Sequence, residues 1–108
     1  CIAMIEDIEA VDRAGDIARV EGVDALFIGR GDLTAAFGDD PKAGEKVAAI
    51  TAKVAAAAKD AGVPLMMLPT SKADLAKSVE LGASAMLISS DHGFVKSAAA
   101  AALKEFAQ

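Results

Sequence analysis

Apolar residues along the chain alternate between two modes. Short, mainly apolar runs at residues 1–5, 23–28, 63–68 and 85–89 are bounded by turn-forming or polar residues, the signature of buried strands. Between them, apolar positions recur at helical spacing. Ile8, Val11, Ala14 and Ala18 form the first stripe, with Asp7 placed to cap its start and Gly22 to end it. Val47, Ile50, Val54, Ala58 and Ala61 form the second, which Asp40 and Pro41 open as N-cap and first-turn proline and Gly62 closes. Ser71, followed three residues later by Asp74, predicts a capping box, with Leu75 and Val79 as the buried face of a helix that stops at Gly82. An alanine-rich helix over 94–107 ends the pattern, its run at 98–102 being simple helix-forming composition. The stretch from Gly29 to about Pro41 follows neither period and predicts a long loop, a length more often functional than decorative.

The pattern is βα repeated four times, so the predicted fold class is α/β. Right-handed crossovers in a parallel sheet put all four strand ends on one rim. Glu6, Asp32, Pro69 with Thr70, and Ser89 to Asp91 are expected to share it. Ligands of parallel α/β folds bind at that edge. Four strands leave two edges unpaired, and 108 residues fall short of a closed (β/α)8 barrel, so the sheet is expected to join a larger barrel or pair with another chain. The chain also starts without Met, inside an apolar run that reads as a strand already under way, as expected of a piece of a longer protein.

Composition narrows the function classes. A net charge of -5 with 4% aromatic residues offers no basic stripe and no stacking platform, which argues against nucleic-acid binding. No apolar run reaches the roughly 18 residues that span a bilayer, and no basic-then-apolar leader opens the chain, so a cytoplasmic location is expected. The single cysteine, Cys1, has no internal disulfide partner, which fits a reducing compartment.

The stretch from Val23 to Thr34 organises the chemistry. A buried run ends in Gly29-Arg30-Gly31, where the glycines mark a tight turn or a close approach, and Asp32 follows just past the strand end. Glu6 ends the preceding strand. On neighbouring strands roughly 4.8 Å apart the two carboxylates can converge on one ion. Oxygen ligands with no Cys or His nearby favour Mg²⁺ or Mn²⁺ over Zn²⁺. The alternative is that both acids are solvated loop carboxylates that cap helices.

The run MIEDIEAVDRAGDIARVEGVDALFIGRGDLTAAFG resembles the second-half signature of the HpcH/HpaI aldolase/citrate lyase family, the metal-dependent pyruvate aldolases typified by 4-hydroxy-2-oxoheptanedioate aldolase. The similarity continues through AGVPLMMLPTS and LGASAMLISSD. It implies four βα units forming the C-terminal half of a (β/α)8 TIM barrel. It also implies a class II aldolase or lyase that cleaves or forms a C–C bond in a 4-hydroxy-2-oxo acid through a pyruvate enolate, with Mg²⁺ or Mn²⁺ as cofactor. Glu6 and Asp32 match the family's two metal-binding carboxylates. Gly31 and Asp32 match the segment whose amides receive the substrate carboxylate, and Gly29 the glycine that opens it. The chain departs from the family pattern at Met4, where many members carry Gln, and at Arg30-Gly31, where many carry Pro-Ala. The family's enolate-stabilising Arg and acid/base His belong to the N-terminal half and have no counterpart here, so these 108 residues alone are expected to show no appreciable turnover.

Other residues carry weaker signals. His92, the only histidine, matches no catalytic position and reads as a surface residue or cap. Arg30 either contacts a substrate carboxylate or lies solvated; Met66 and Met67 read as core. Phe37 either packs over the site or anchors the loop. The expected partners are a small-molecule 2-oxo acid and either further copies of the chain or a complementing N-terminal half. The rival reading is a non-catalytic half-barrel, an assembly module that associates through its open edges and its alanine-rich last helix.

Overall fold

The computed structural model describes residues 1–107. Four strands, β1 (Ile2–Ile5), β2 (Ala25–Ile28), β3 (Leu65–Met67) and β4 (Ala83–Met86), form one parallel sheet in the order β1-β2-β3-β4. Each strand neighbours the next in sequence, as βα units require. Six helices connect and follow them: α1 (Ile8–Asp12), α2 (Ala14–Ala18), α3 (Arg30–Ala35), α4 (Ala43–Ala61), α5 (Lys72–Glu80) and α6 (Asp91–Phe106). The fold is the predicted α/β array of four βα units, and no helix among the described residues is long and apolar enough to cross a membrane.

Strand alternation separates the two faces of the sheet. Ala3, Ile5, Leu26, Ile28, Leu65 and Met67 point to the helices and join Val11, Ala14, Ala18, Val47, Val54 and Ala58 in the core. The opposite face carries Met4 beside Phe27 and Phe27 beside Met66 in register. Met67 is buried as predicted, whereas Met66 lies on this second face and is half-buried.

Several expectations are corrected. The first helical stripe is two short helices broken at Arg13, where Gly15 and Asp16, poor helix formers, follow; Val11, Ala14 and Ala18 are still buried on one side. Asp7 caps α1 by accepting from the Glu9 amide at 2.7 Å. The predicted loop after Gly29 contains α3, because Gly31 sits in a helical turn where nothing demands glycine conformations. Asp40 caps a turn rather than α4 itself: its carboxylate accepts from the Lys42 amide at 2.8 Å, and the helix proper begins at Ala43. Gly62, at φ 72°, ends α4 in the left-handed conformation expected of it.

In α5, Ser71 caps as predicted by accepting from the Asp74 amide at 3.1 Å. Its buried face is not Leu75 and Val79, which are 38% and 58% exposed. The helix turns Ser78 and Leu81 inward instead, and the Ser78 hydroxyl is satisfied by donating to the Asp74 carbonyl at 2.8 Å. Strand β4 begins at Ala83, earlier than predicted, directly after the left-handed Gly82; residues 87–90 form rim.

Candidate functional site at the strand ends

The carboxyl ends of β1, β2 and β3 hold the candidate chemistry. Glu6 leaves β1 directly beside Gly29, which leaves β2. The Gly29 amide donates to the Ile5 carbonyl at 3.0 Å, extending the β1–β2 pairing to the rim. A methyl group at Gly29 would stand 2.6 Å from Glu6 Cβ and 3.3 Å from Glu6 Oε2. Of the two readings of this glycine, close approach is therefore the one realised, with Glu6 as the group approached. Gly31 has nothing within 4 Å of such a position.

Asp32 occupies the first turn of α3, whose N-cap Gly29 supplies no side-chain hydrogen bond. The first amides of the helix are thus left for solvent or a ligand. Glu6 and Asp32 are both exposed, and neither enters an ion pair among the described residues. No group of three or more His, Cys, Asp or Glu gathers there among the described residues. Two free carboxylates suit a hard cation that keeps most of its octahedron for water and substrate, and do not suit an all-protein cage.

An open cavity of about 580 Å³ adjoins this rim, lined by Met4, Phe27, Gly29, Arg30, Asp32 and Leu87 among others. Met4 and Phe27 bring the apolar second face of the sheet into its wall. Arg30 lines it too but is not solvated: its guanidinium donates to both Asp74 oxygens and to the Leu68 carbonyl at 2.7–2.8 Å. The hydrogen bonds from Arg30 and from the Thr70 amide hold the Asp74 carboxyl well below the usual carboxylate range. The same hydrogen bond, together with the Asp74 charge, raises the Arg30 pKa against the opposing effect of burial.

This network escaped the sequence reading. Asp74 was visible as part of a capping box, yet its carboxylate does not reach back to the Ser71 amide; it accepts from the Thr70 amide at 2.9 Å and from Arg30, 44 residues away. Phe37 acts as an anchor, half-buried against the core with the Lys46 ammonium 5.1 Å from its ring centre. His92 is an exposed residue of the first turn of α6, 3.1 Å from the Ser90 hydroxyl.

The sequence model described as HpcH/HpaI aldolase/citrate lyase matches residues 1–98. The chain belongs to this family. A 5-keto-4-deoxy-D-glucarate aldolase of Citrobacter koseri is 36% identical over 98 residues, which cover 90% of this chain and 38% of that protein. Among solved structures, an HpcH/HpaI aldolase from Desulfitobacterium hafniense aligns with a TM-score of 0.82 at 31% identity, covering 96% of this chain and 41% of that one. The citrate synthase SbnG aligns with a TM-score of 0.82 at 30% identity, covering 96% and 43%. The chain therefore spans less than half the length of the relatives it matches, and its four βα units correspond to part of a larger (β/α)8 barrel.

Proposed function

We propose that this chain supplies the metal-binding rim of a class II aldolase or lyase acting on a 4-hydroxy-2-oxo acid. In this reading Glu6 and Asp32 are the protein ligands of Mg²⁺ or Mn²⁺. Family membership supports the reaction class. The observation that carries the site is the packing of Glu6 against Gly29, which brings one free carboxylate to the segment that bears the other. When bound, the ion supplies Lewis-acid polarisation of a carbonyl oxygen. The chain's own residues bind and orient. The uncapped amides of Gly31 and Asp32 donate to the carboxylate of the 2-oxo acid, at the end of a helix dipole that favours negative charge. Gly29 keeps the β2 end close to Glu6, and Met4 and Phe27 give the cavity an apolar floor.

Isothermal titration of the chain with Mn²⁺, with and without pyruvate, tests the reading. Wild type is expected to bind Mn²⁺ more tightly when pyruvate is present. Asp32→Asn is expected to weaken binding by about 100-fold or more, since groups that merely support a ligand already cost 10- to 100-fold. Equal binding by wild type and Asp32→Asn, or none by either, refutes it.

A second reading, that the chain is an assembly module, is favoured by α6. This helix buries none of its residues, and Phe94, Val95, Leu103 and Phe106 are all more than half exposed. The radius of gyration is 16.0 Å with a longest axis of 55 Å, against about 13 Å for a compact chain of this length. Such an apolar helix is expected to find a partner, either another copy or a complementing half-barrel. Light scattering after size exclusion is expected to show mass rising with concentration, and Leu103→Glu with Phe106→Glu to hold the chain monomeric. Monomeric wild type at high concentration rules out self-association. Mn²⁺ binding unaffected by these two changes shows that the rim binds the ion independently of association.

A further inference from the structure

Arg30 joins three separate parts of the fold. As the first residue of α3 it donates through Nη1 to Asp74 Oδ1 at 2.8 Å and through Nη2 to Asp74 Oδ2 and the Leu68 carbonyl, both at 2.7 Å. Asp74 Oδ2 also accepts from the Thr70 amide at 2.9 Å and the Thr70 hydroxyl at 3.2 Å. Arg30 thus ties α3 to the end of β3 and to the first turn of α5, and Asp74 extends the network to Thr70 on the rim. A two-pronged guanidinium–carboxylate pair fixes orientation as well as distance. The two side chains are only 25% and 19% exposed, so the pair differs from the solvated ion pairs that contribute little.

Helix α3 needs such a tie. Its six residues are too few to persist without tertiary support, its N-cap offers no side chain, and Leu33 is its one buried residue. Leu33 pins the helix to the core at a single point, which leaves its tilt and rotation free. A second fixed point one turn earlier removes that freedom, and Arg30 is placed there. Asp32 lies between the two.

We infer that Arg30 is a positioning residue: the Arg30–Asp74 clasp sets the first turn of α3, and with it the Asp32 carboxylate and the Gly31 and Asp32 amides, without touching substrate. The inference rests on the proposed ligand role of Asp32. Its structural half is independent of that role and is measured separately.

The test is a double-mutant cycle of Arg30→Met, Asp74→Asn and both together in the 108-residue chain. Its readouts are Mn²⁺ titration with and without pyruvate, and hydrogen exchange of the Leu33 and Ala36 amides, which bond to the Gly29 and Asp32 carbonyls. Each single change is expected to weaken Mn²⁺ binding about 10- to 100-fold, and the double change no further. Arg30→Lys is expected to recover part of the loss, because it restores charge but not the fork. Exchange of the two amides is expected to quicken in both single variants without metal, at temperatures where far-ultraviolet circular dichroism shows the fold retained. If Asp74→Asn binds Mn²⁺ and pyruvate like wild type while Arg30→Met loses pyruvate alone, Arg30 is a substrate contact and the inference falls. Unchanged exchange in both singles overturns it as well. Should wild type bind no Mn²⁺, the ligand assignment fails by itself, and the exchange rates alone decide whether the clasp sets α3.

Discussion

Leu33→Ala is expected to destabilise the chain by about 2–5 kcal/mol, the usual cost of emptying a fully buried leucine site. Leu33 is 0% exposed and belongs to the continuous core with Ile5, Ile28 and Val47. Against a total stability of about 5–15 kcal/mol for a domain, that loss is severe. Its consequence is also local. Helix α3 has no other buried residue, so its apolar anchorage disappears with this one side chain. Chemical denaturation is expected to show the global loss, and Mn²⁺ titration below the unfolding midpoint to show that the folded fraction binds the ion more weakly. Val54→Ala is the control: Val54 is equally buried but sits in the middle of α4, remote from the rim in sequence. It is expected to lower stability and leave Mn²⁺ affinity of the folded chain unchanged. A Leu33→Ala chain as stable as wild type contradicts the packing, and equal metal affinity contradicts the dependence of Asp32 on α3.

Much of this architecture was legible in the sequence because local signals and tertiary packing agree. The strands at 1–5, 23–28 and 63–68 are apolar, short and bounded by breakers, and each forms within those bounds. Gly62 ends α4 and Ser71 caps α5 as their residue types dictate. The errors lie where local signals compete. Gly-X-Gly reads as a loop because glycine is a poor helix former, yet the turn after β2 is helical once Leu33 is buried and Thr34 donates to the Arg30 carbonyl at 2.7 Å. Leu75 and Val79 share a helical face, but periodicity says only that the residues lie together, not which way the face points. Ser78 and Leu81 took the sheet side. The site divides in the same manner. The shared rim of Glu6 and Asp32 was legible because both acids follow the carboxyl ends of consecutive parallel strands. The Arg30–Asp74 pair was missed because nothing local links positions 44 residues apart.

Gly29→Ala is expected to uncouple Glu6 from the site, and Gly31→Ala to do nothing of the kind. Both glycines flank Arg30, and for both the sequence leaves two readings, a tight turn or a close approach. At neither is φ positive, since Gly29 stands at φ -80°, so freedom of backbone rotation explains neither. Space explains one of them. An alanine methyl at 29 would lie 2.6 Å from Glu6 Cβ and 3.4 Å from Glu6 Cα, a backbone atom that is not free to swing away. The Gly29 amide bond to the Ile5 carbonyl, 3.0 Å, blocks retreat in the other direction. The strain is relieved only by parting the ends of β1 and β2 or by moving Glu6, at a cost of about 1–3 kcal/mol for overpacking. Mn²⁺ affinity is expected to fall with it, toward the value of Glu6→Gln. At Gly31 the methyl meets nothing within 4 Å, and replacing glycine within a helix is expected to add about 0.5–1 kcal/mol of stability with Mn²⁺ affinity unchanged. The two substitutions are chemically identical and two residues apart, so a difference between them isolates the contact with Glu6. If Gly29→Ala matches wild type in both measurements, that contact constrains nothing, and Glu6 loses the observation that places it at the site.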